Sequence, residues 1–206
     1  MKLAVFVQTD IGMKRKINQD AYLSDDALSL FVVADGMGGH RGGEVASKLA
    51  VDIIQKYCRE NKEQGPRERL NMGINLSCHE IFKASMENEE LAGMGTTVLA
   101  MLFHEDAVYI AQVGDSRAYL LNGGGIWQIT EDHSLLNEEI RAGRLEADQA
   151  ASYQFKNVIT RSVGYENHVK DFIVMGSGSF FISMWWCDPN RQDREHSITI
   201  FANLWR

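Results

Sequence analysis

Two consecutive segments of helical periodicity stand between two sets of short β-prone runs, and that order constrains the fold of this 206-residue chain more than any other feature. From Glu44 to Glu60 the residues Ala46, Leu49, Ala50, Ile53, Ile54 and Tyr57 recur at helical spacing, with Lys48, Asp52 and Lys56 on the opposite side. A second helix is predicted from Pro66, a favourable first-turn residue, with Leu70, Ile74, Cys78, Ile81 and Phe82 on one stripe. Before the helices, Leu3–Val7 and Leu28–Ala34 read as buried strands. After them come Thr96–Phe103, Ala107–Val113, Ala118–Leu121 and Trp127–Thr130, separated by turn-forming clusters that predict an antiparallel meander. Strands, a helix pair and a meander predict an α+β fold with helices layered on antiparallel sheet, and they argue against the alternating units of a parallel fold. Leu135–Tyr153 is helical and charged, and Phe172–Met175 and Phe180–Trp186 add two apolar runs. No repeat or domain boundary interrupts residues 1–206, so one domain is expected.

Composition narrows the function classes. A net charge of −7 leaves no basic footprint for a nucleic acid or an anionic membrane, so neither is an expected partner. Cys58, Cys78 and Cys187 are too few and too far apart for a zinc site, and they are expected to be buried, reduced residues. The apolar run near the N-terminus is too short for a signal peptide and no stretch approaches a membrane span, so a cytoplasmic monomer is expected.

The residues that carry chemistry fall into three clusters. Gly12–Asp20 places Arg15, Asn18 and Asp20 in a polar stretch; an arginine fork can grip two phosphate oxygens, but alone the segment reads as a solvated basic turn. Ala34–Glu44 concentrates five glycines in nine positions between a buried strand and a helix. A simple turn needs one or two, and glycine clears space where backbone must approach a ligand. Asp35, at the strand end, offers a hard oxygen ligand for Mg²⁺ or Mn²⁺. The third cluster is Val113–Tyr119 with Thr130–Ser134. Here Asp115 could pair with Arg117, cap a hairpin or take part in chemistry. Carboxylates at strand ends without a cysteine or paired-histidine set suit hydrated, oxygen-ligated cations, whose usual partner is phosphoryl chemistry.

In order along the chain stand G-x-x-R-x-x-N-x-D, A-D-G-M-G-G-H-x-x-G-E-x-A-S, G-T-T, V-G-D-S-R-x-Y and T-x-D-H-S, followed by Asn157–Gly164. This order resembles the bacterial 2C-type members of the metal-dependent PPM family of protein serine/threonine phosphatases, over about residues 9–164. The resemblance implies a four-layer α-β-β-α sandwich of two antiparallel sheets flanked by helix pairs. It implies two Mn²⁺ or Mg²⁺ ions that activate a water for attack on phosphoserine or phosphothreonine, in proteins that a serine/threonine kinase has modified. By the same resemblance Asp35 bridges the ions, Gly36 offers its carbonyl, Asp20 holds metal-bound water and Arg15 binds the substrate phosphate. Asp132 matches a third, weaker metal site, Asp115 supports from behind, and His40 is the candidate general acid because Met37 stands where eukaryotic relatives carry histidine.

The tail, about residues 177–206, departs from that pattern. The family's S-D-G and D-N motifs, both metal ligands, are not intact; Asp188 precedes proline and His196 stands where the second aspartate is expected, and both are poor substitutes. Incomplete C-terminal strands and an exposed sheet edge are therefore expected, together with an alternative function as a catalytically impaired binding or regulatory module. We take the tail as the product of a reading-frame change or deletion. Failure to find the two motifs in another frame of the encoding gene counts against that hypothesis.

Overall fold

The computed structural model describes residues 2–11, 17–38, 41–122, 124–165, 172–175, 181–185 and 199–205. Among the described residues are two antiparallel sheets and three α-helices. The strands are β1 (Lys2–Gln8), β2 (Asp20–Asp25), β3 (Leu30–Met37), β4 (Gly95–Thr96), β5 (Val98–His104), β6 (Ala107–Val113), β7 (Arg117–Asn122), β8 (Gly125–Gln128), β9 (Phe172–Met175), β10 (Phe181–Trp185) and β11 (Thr199–Trp205). The helices are α1 (Gly42–Glu60), α2 (Pro66–Glu87) and α3 (Leu135–Arg141).

The first sheet runs β1-β11-β10-β7-β8 and the second β2-β3-β5-β6-β9, with β4 paired to β3. Side-chain alternation explains why β3 reads as an unbroken apolar run. Leu30, Val32 and Ala34 pack with Ala46, Ala50 and Ile54 of α1 and Leu70, Ile74 and Ile81 of α2. Phe31 and Val33 turn the other way, into a core with Leu99, Met101, Ile110 and Ala118 against which Val5, Val7 and Leu120 lie. The second sheet is therefore covered on both faces, and each large side chain so buried contributes about 1.5–3 kcal/mol. Phe31 and Phe103 meet edge to face in the inter-sheet core, with ring centroids 5.8 Å apart.

Several expectations are revised. The runs from Thr96 to Thr130 do not form one meander: β5 and β6 pair in the second sheet, β7 and β8 in the first. The Gly114–Ser116 segment is the crossing between sheets, not a hairpin turn. β2 is a strand that the sequence reading, which placed none between Leu3–Val7 and Leu28–Ala34, did not anticipate. α1 begins two residues earlier than expected, and Leu135–Tyr153 divides into α3 and a 3-10 turn over Ala147–Ser152. The tail does not leave the first sheet open at that side, because β11 pairs with β1 along its whole length and with β10 on its other edge.

Among the described residues the helical layer packed on a sheet is the α1–α2 pair, and α3 buries none of its residues. Cys58 and Cys78 are buried thiols outside any disulfide, as expected, burial pushing the Cys58 thiol up to about 11 against the opposing charge of Arg69. Cys187 lies outside the described residues. No described helix is long and apolar enough to cross a membrane.

Candidate metal centre

β2 and β3 bring Asp20 directly opposite Asp35. Cβ atoms of such cross-strand partners lie about 4.5–5.5 Å apart, so two carboxylates meet on one face, where like charges destabilise the pair unless a cation or proton intervenes. Asp35 continues the row of Phe31 and Val33, which places it at the end of the layer between the sheets. Both carboxylate oxygens of Asp20 are withdrawn from solvent.

The glycines beside this pair answer to backbone contact. A Cβ on Gly36 would stand 1.9 Å from the Gly43 carbonyl oxygen and 2.5 Å from that of Gln19. The end of β3 thus touches the first turn of α1 main chain to main chain, with the Gly36 carbonyl beside the Asp20–Asp35 pair in sequence and register. The carbonyl of Gln19 ties the two together, accepting from Gly36 N–H at 3.1 Å and from Ser47 Oγ at 2.6 Å. Asn18 Oδ1 accepts from the Asp20 N–H at 3.0 Å and fixes the start of β2. Two apposed carboxylates and a carbonyl form an all-oxygen donor set that fits Mn²⁺ or Mg²⁺.

Asp132 is held differently. Arg117 Nε donates to both of its carboxylate oxygens at 2.9 Å, Arg117 Nη2 donates to Oδ2, and Gln128 Nε2 donates to Oδ1 at 3.1 Å. Burial opposes the charge on Arg117, but the bonded Asp132 carboxylate outweighs it and raises the guanidinium above its ordinary value. Arg117 thus pairs with Asp132, not with Asp115 as one sequence alternative had it. Asp132 therefore already accepts from an arginine and a glutamine, donors with which a cation at a third metal site would have to share the carboxylate. Asp115, with Oδ1 buried, sits in the crossing between the sheets.

His133 acts as a clasp: its Nδ1 accepts from Gly114 N–H at 3.1 Å, its N–H donates to Gly114 O at 3.0 Å, and its carbonyl accepts from Thr160 N–H at 2.9 Å. Val163 bonds Thr96 in both directions, at 2.8 and 3.0 Å. The Asn157–Gly164 segment makes only isolated bridges, at Thr96–Val163 and Ser134–Ile159, and no strand.

The structure therefore brings Asp20, Asp35 and Gly36 together and assigns Asp132 to Arg117. Arg15 and His40, the expected phosphate grip and general acid, lie outside the described residues, as do Asp188 and His196. Among the described residues no group of three His, Cys, Asp or Glu side chains converges. Sequence reasoning passed over Thr97, whose hydroxyl accepts from the Asp35 N–H, and Ser116, whose hydroxyl meets that of Thr97. The G-T-T motif was the available signal.

The sequence pattern of the family described as protein phosphatase 2C matches residues 13–188, reaching past the expected limit near Gly164. The serine/threonine phosphatase stp of Listeria welshimeri is 37% identical over 170 residues, which take in 79% of this chain and 68% of that protein. Protein phosphatase PhpP of Streptococcus pneumoniae is 32% identical over 189 residues, 87% of this chain and 76% of that one. The solved structure of the S. agalactiae serine/threonine phosphatase is similar with a TM-score of 0.89 at 26% identity, covering 99% of this chain and 100% of that chain.

Proposed function

Since the chain belongs to the protein phosphatase 2C family, we propose that it hydrolyses phosphoserine and phosphothreonine on proteins modified by a serine/threonine kinase, using two bound Mn²⁺ or Mg²⁺ ions. The observation that carries the reading is the Asp20–Asp35 cross-strand pair, a like-charge arrangement that a divalent cation stabilises. Asp35 and the Gly36 carbonyl would hold the ions, with Asp20 completing the oxygen set. When bound, such ions neutralise phosphate charge and make water a competent nucleophile at neutral pH.

The chain's own residues do the rest of the work in this proposal. The contact of Gly36 with Gly43 holds the carbonyl and the strand end against the rigid first turn of α1, so the donors keep their geometry when substrate arrives. Arg15 would orient the substrate phosphate by a two-point grip, and His40 would deliver a proton to the departing alkoxide oxygen. The protein would act in the cytoplasm as a monomer.

Hydrolysis of a phosphothreonine peptide with and without Mn²⁺ tests the proposal. Turnover that requires the ion and is lost in Asp35→Asn supports it. Retained phosphopeptide binding without turnover would instead favour the binding module.

A further inference from the structure

At Asp35 the ladder of the second sheet is rewritten by side chains. The register that pairs Val33 with Leu99 and Gly36 with Thr96 sets Asp35 opposite Thr97. An antiparallel hydrogen-bonded pair exchanges two backbone bonds. Only one is made here, from Thr97 N–H to Asp35 O at 2.9 Å. In place of the other, Asp35 N–H donates to Thr97 Oγ1 at 3.0 Å. The Thr97 carbonyl accepts instead from Thr96 Oγ1 at 2.9 Å, and that same hydroxyl reaches Asp35 O at 3.0 Å. Two threonine hydroxyls thus hold the peptide groups of Asp35.

The Thr97 hydroxyl is itself fixed. Its oxygen lies 2.8 Å from Ser116 Oγ, and Thr96, Thr97 and Ser116 are fully buried. Ser116 belongs to the crossing between the sheets, where Gln112 Nε2 donates to the carbonyls of Gly114 and Ser116 at 3.1 and 3.2 Å. Gly114 is required there: its φ is +102°, and a Cβ would stand 2.6 Å from Thr97 Cγ2. The crossing is packed onto the threonine that holds Asp35.

We propose that Thr97, backed by Ser116, is a positioning residue that sets the Asp35 carboxylate and the adjacent Gly36 carbonyl for a divalent cation. The proposal rests on the metal-site reading above. A plain ladder bond would tie Asp35 only to the neighbouring strand of its own sheet; routing it through Thr97 and Ser116 ties it also to the crossing between sheets. Partners behind a ligand commonly change metal affinity by about 10–100-fold when removed.

The test is calorimetric titration of the whole chain with Mn²⁺, alongside hydrogen exchange at the Asp35 amide and thermal unfolding. Thr97→Val keeps the shape and loses the acceptor. It is expected to weaken Mn²⁺ binding by about tenfold or more and to speed exchange at Asp35, while Thr97→Ser restores both. Ser116→Ala, which leaves Thr97 in place, is expected to move both readouts in the same direction by less, and it carries the test if Thr97→Val does not fold. Folded Thr97→Val and Ser116→Ala proteins that bind Mn²⁺ within about twofold of the parent overturn the positioning role. A parent chain with no saturable Mn²⁺ binding overturns the metal reading and, with it, the service assigned to Thr97.

Discussion

The two ends of the β2–β3 hairpin carry aspartates in opposite circumstances. At the turn end, Asp25 accepts from Gln55 Nε2 and Arg59 Nη2, each at 2.8 Å, and from Leu28 N–H at 3.1 Å. Burial alone would raise its pKa, but these donors prevail and hold the carboxyl below its ordinary value. At the other end Asp20 meets Asp35, a second carboxylate. The contrast separates two settings of one residue type in one hairpin: a carboxylate held by an arginine and a glutamine steadies the fold, whereas two carboxylates set opposite each other are the arrangement on which the proposed cation site is built. Asp132, gripped by Arg117, belongs with Asp25.

The sharpest break between the ends comes from removing charge at the site end. Asp20→Asn and Asp35→Asn should each lower phosphopeptide turnover by at least about 100-fold while leaving metal-free stability unchanged or higher, since a repulsive pair is relieved. Urea unfolding without metal alongside the turnover assay checks both halves, and a large loss of metal-free stability would remove the contrast.

Gly36→Ala attacks the same end through shape. With backbone of Gly43 and Gln19 in the way and no flexible side chain to yield, we expect a loss of about 3 kcal/mol or more, or failure to fold, read from urea unfolding.

At the turn end Asp25→Ala strands the Leu28 N–H and should cost about 2 kcal/mol while leaving Mn²⁺ affinity untouched. Asp132→Asn should behave alike, with a loss of about 1–2 kcal/mol and no change in Mn²⁺ binding by calorimetry.

The smallest effect is in pH. Because the folded Asp25 carboxyl sits below its unfolded value, its contribution is fully present above the ordinary carboxylate range and disappears as pH falls through the folded value. Stability of the parent should therefore fall more steeply than that of Asp25→Ala between about pH 5 and about pH 2, measured by urea midpoints.

Much of the frame was legible without coordinates. The stripes Ala46–Ile54 and Leu70–Ile81, the apolar run before Asp35 and the glycines after it are local signals, set by period and by backbone sterics within a few residues. The ordered motifs were enough to identify the family. Other features were not legible because they depend on partners far apart in the chain. Nothing near residue 115 states that the crossing there leaves one sheet for another, or that Arg117 prefers Asp132 to the nearer Asp115. β2 escaped notice because Asp20–Asp25, an edge strand with alternate residues turned to solvent, lacks the apolar density that marks β3.

The tail divides in the same way. The sequence records the departure from the S-D-G and D-N motifs, while strand pairing places β11 between β1 and β10. A ladder of backbone bonds tolerates side-chain replacement in a way that a set of metal-ligating carboxylates does not. By itself, then, the sequence determined the family, the helix pair and the position of Asp35 at a strand end, all of which follow from local periodicity and motif order. Only the tertiary structure decided that Asp20 would be its direct opposite, that Thr97 would hold its amide and that Asp132 would be spoken for by arginine, because these are choices among distant partners made when the sheets close.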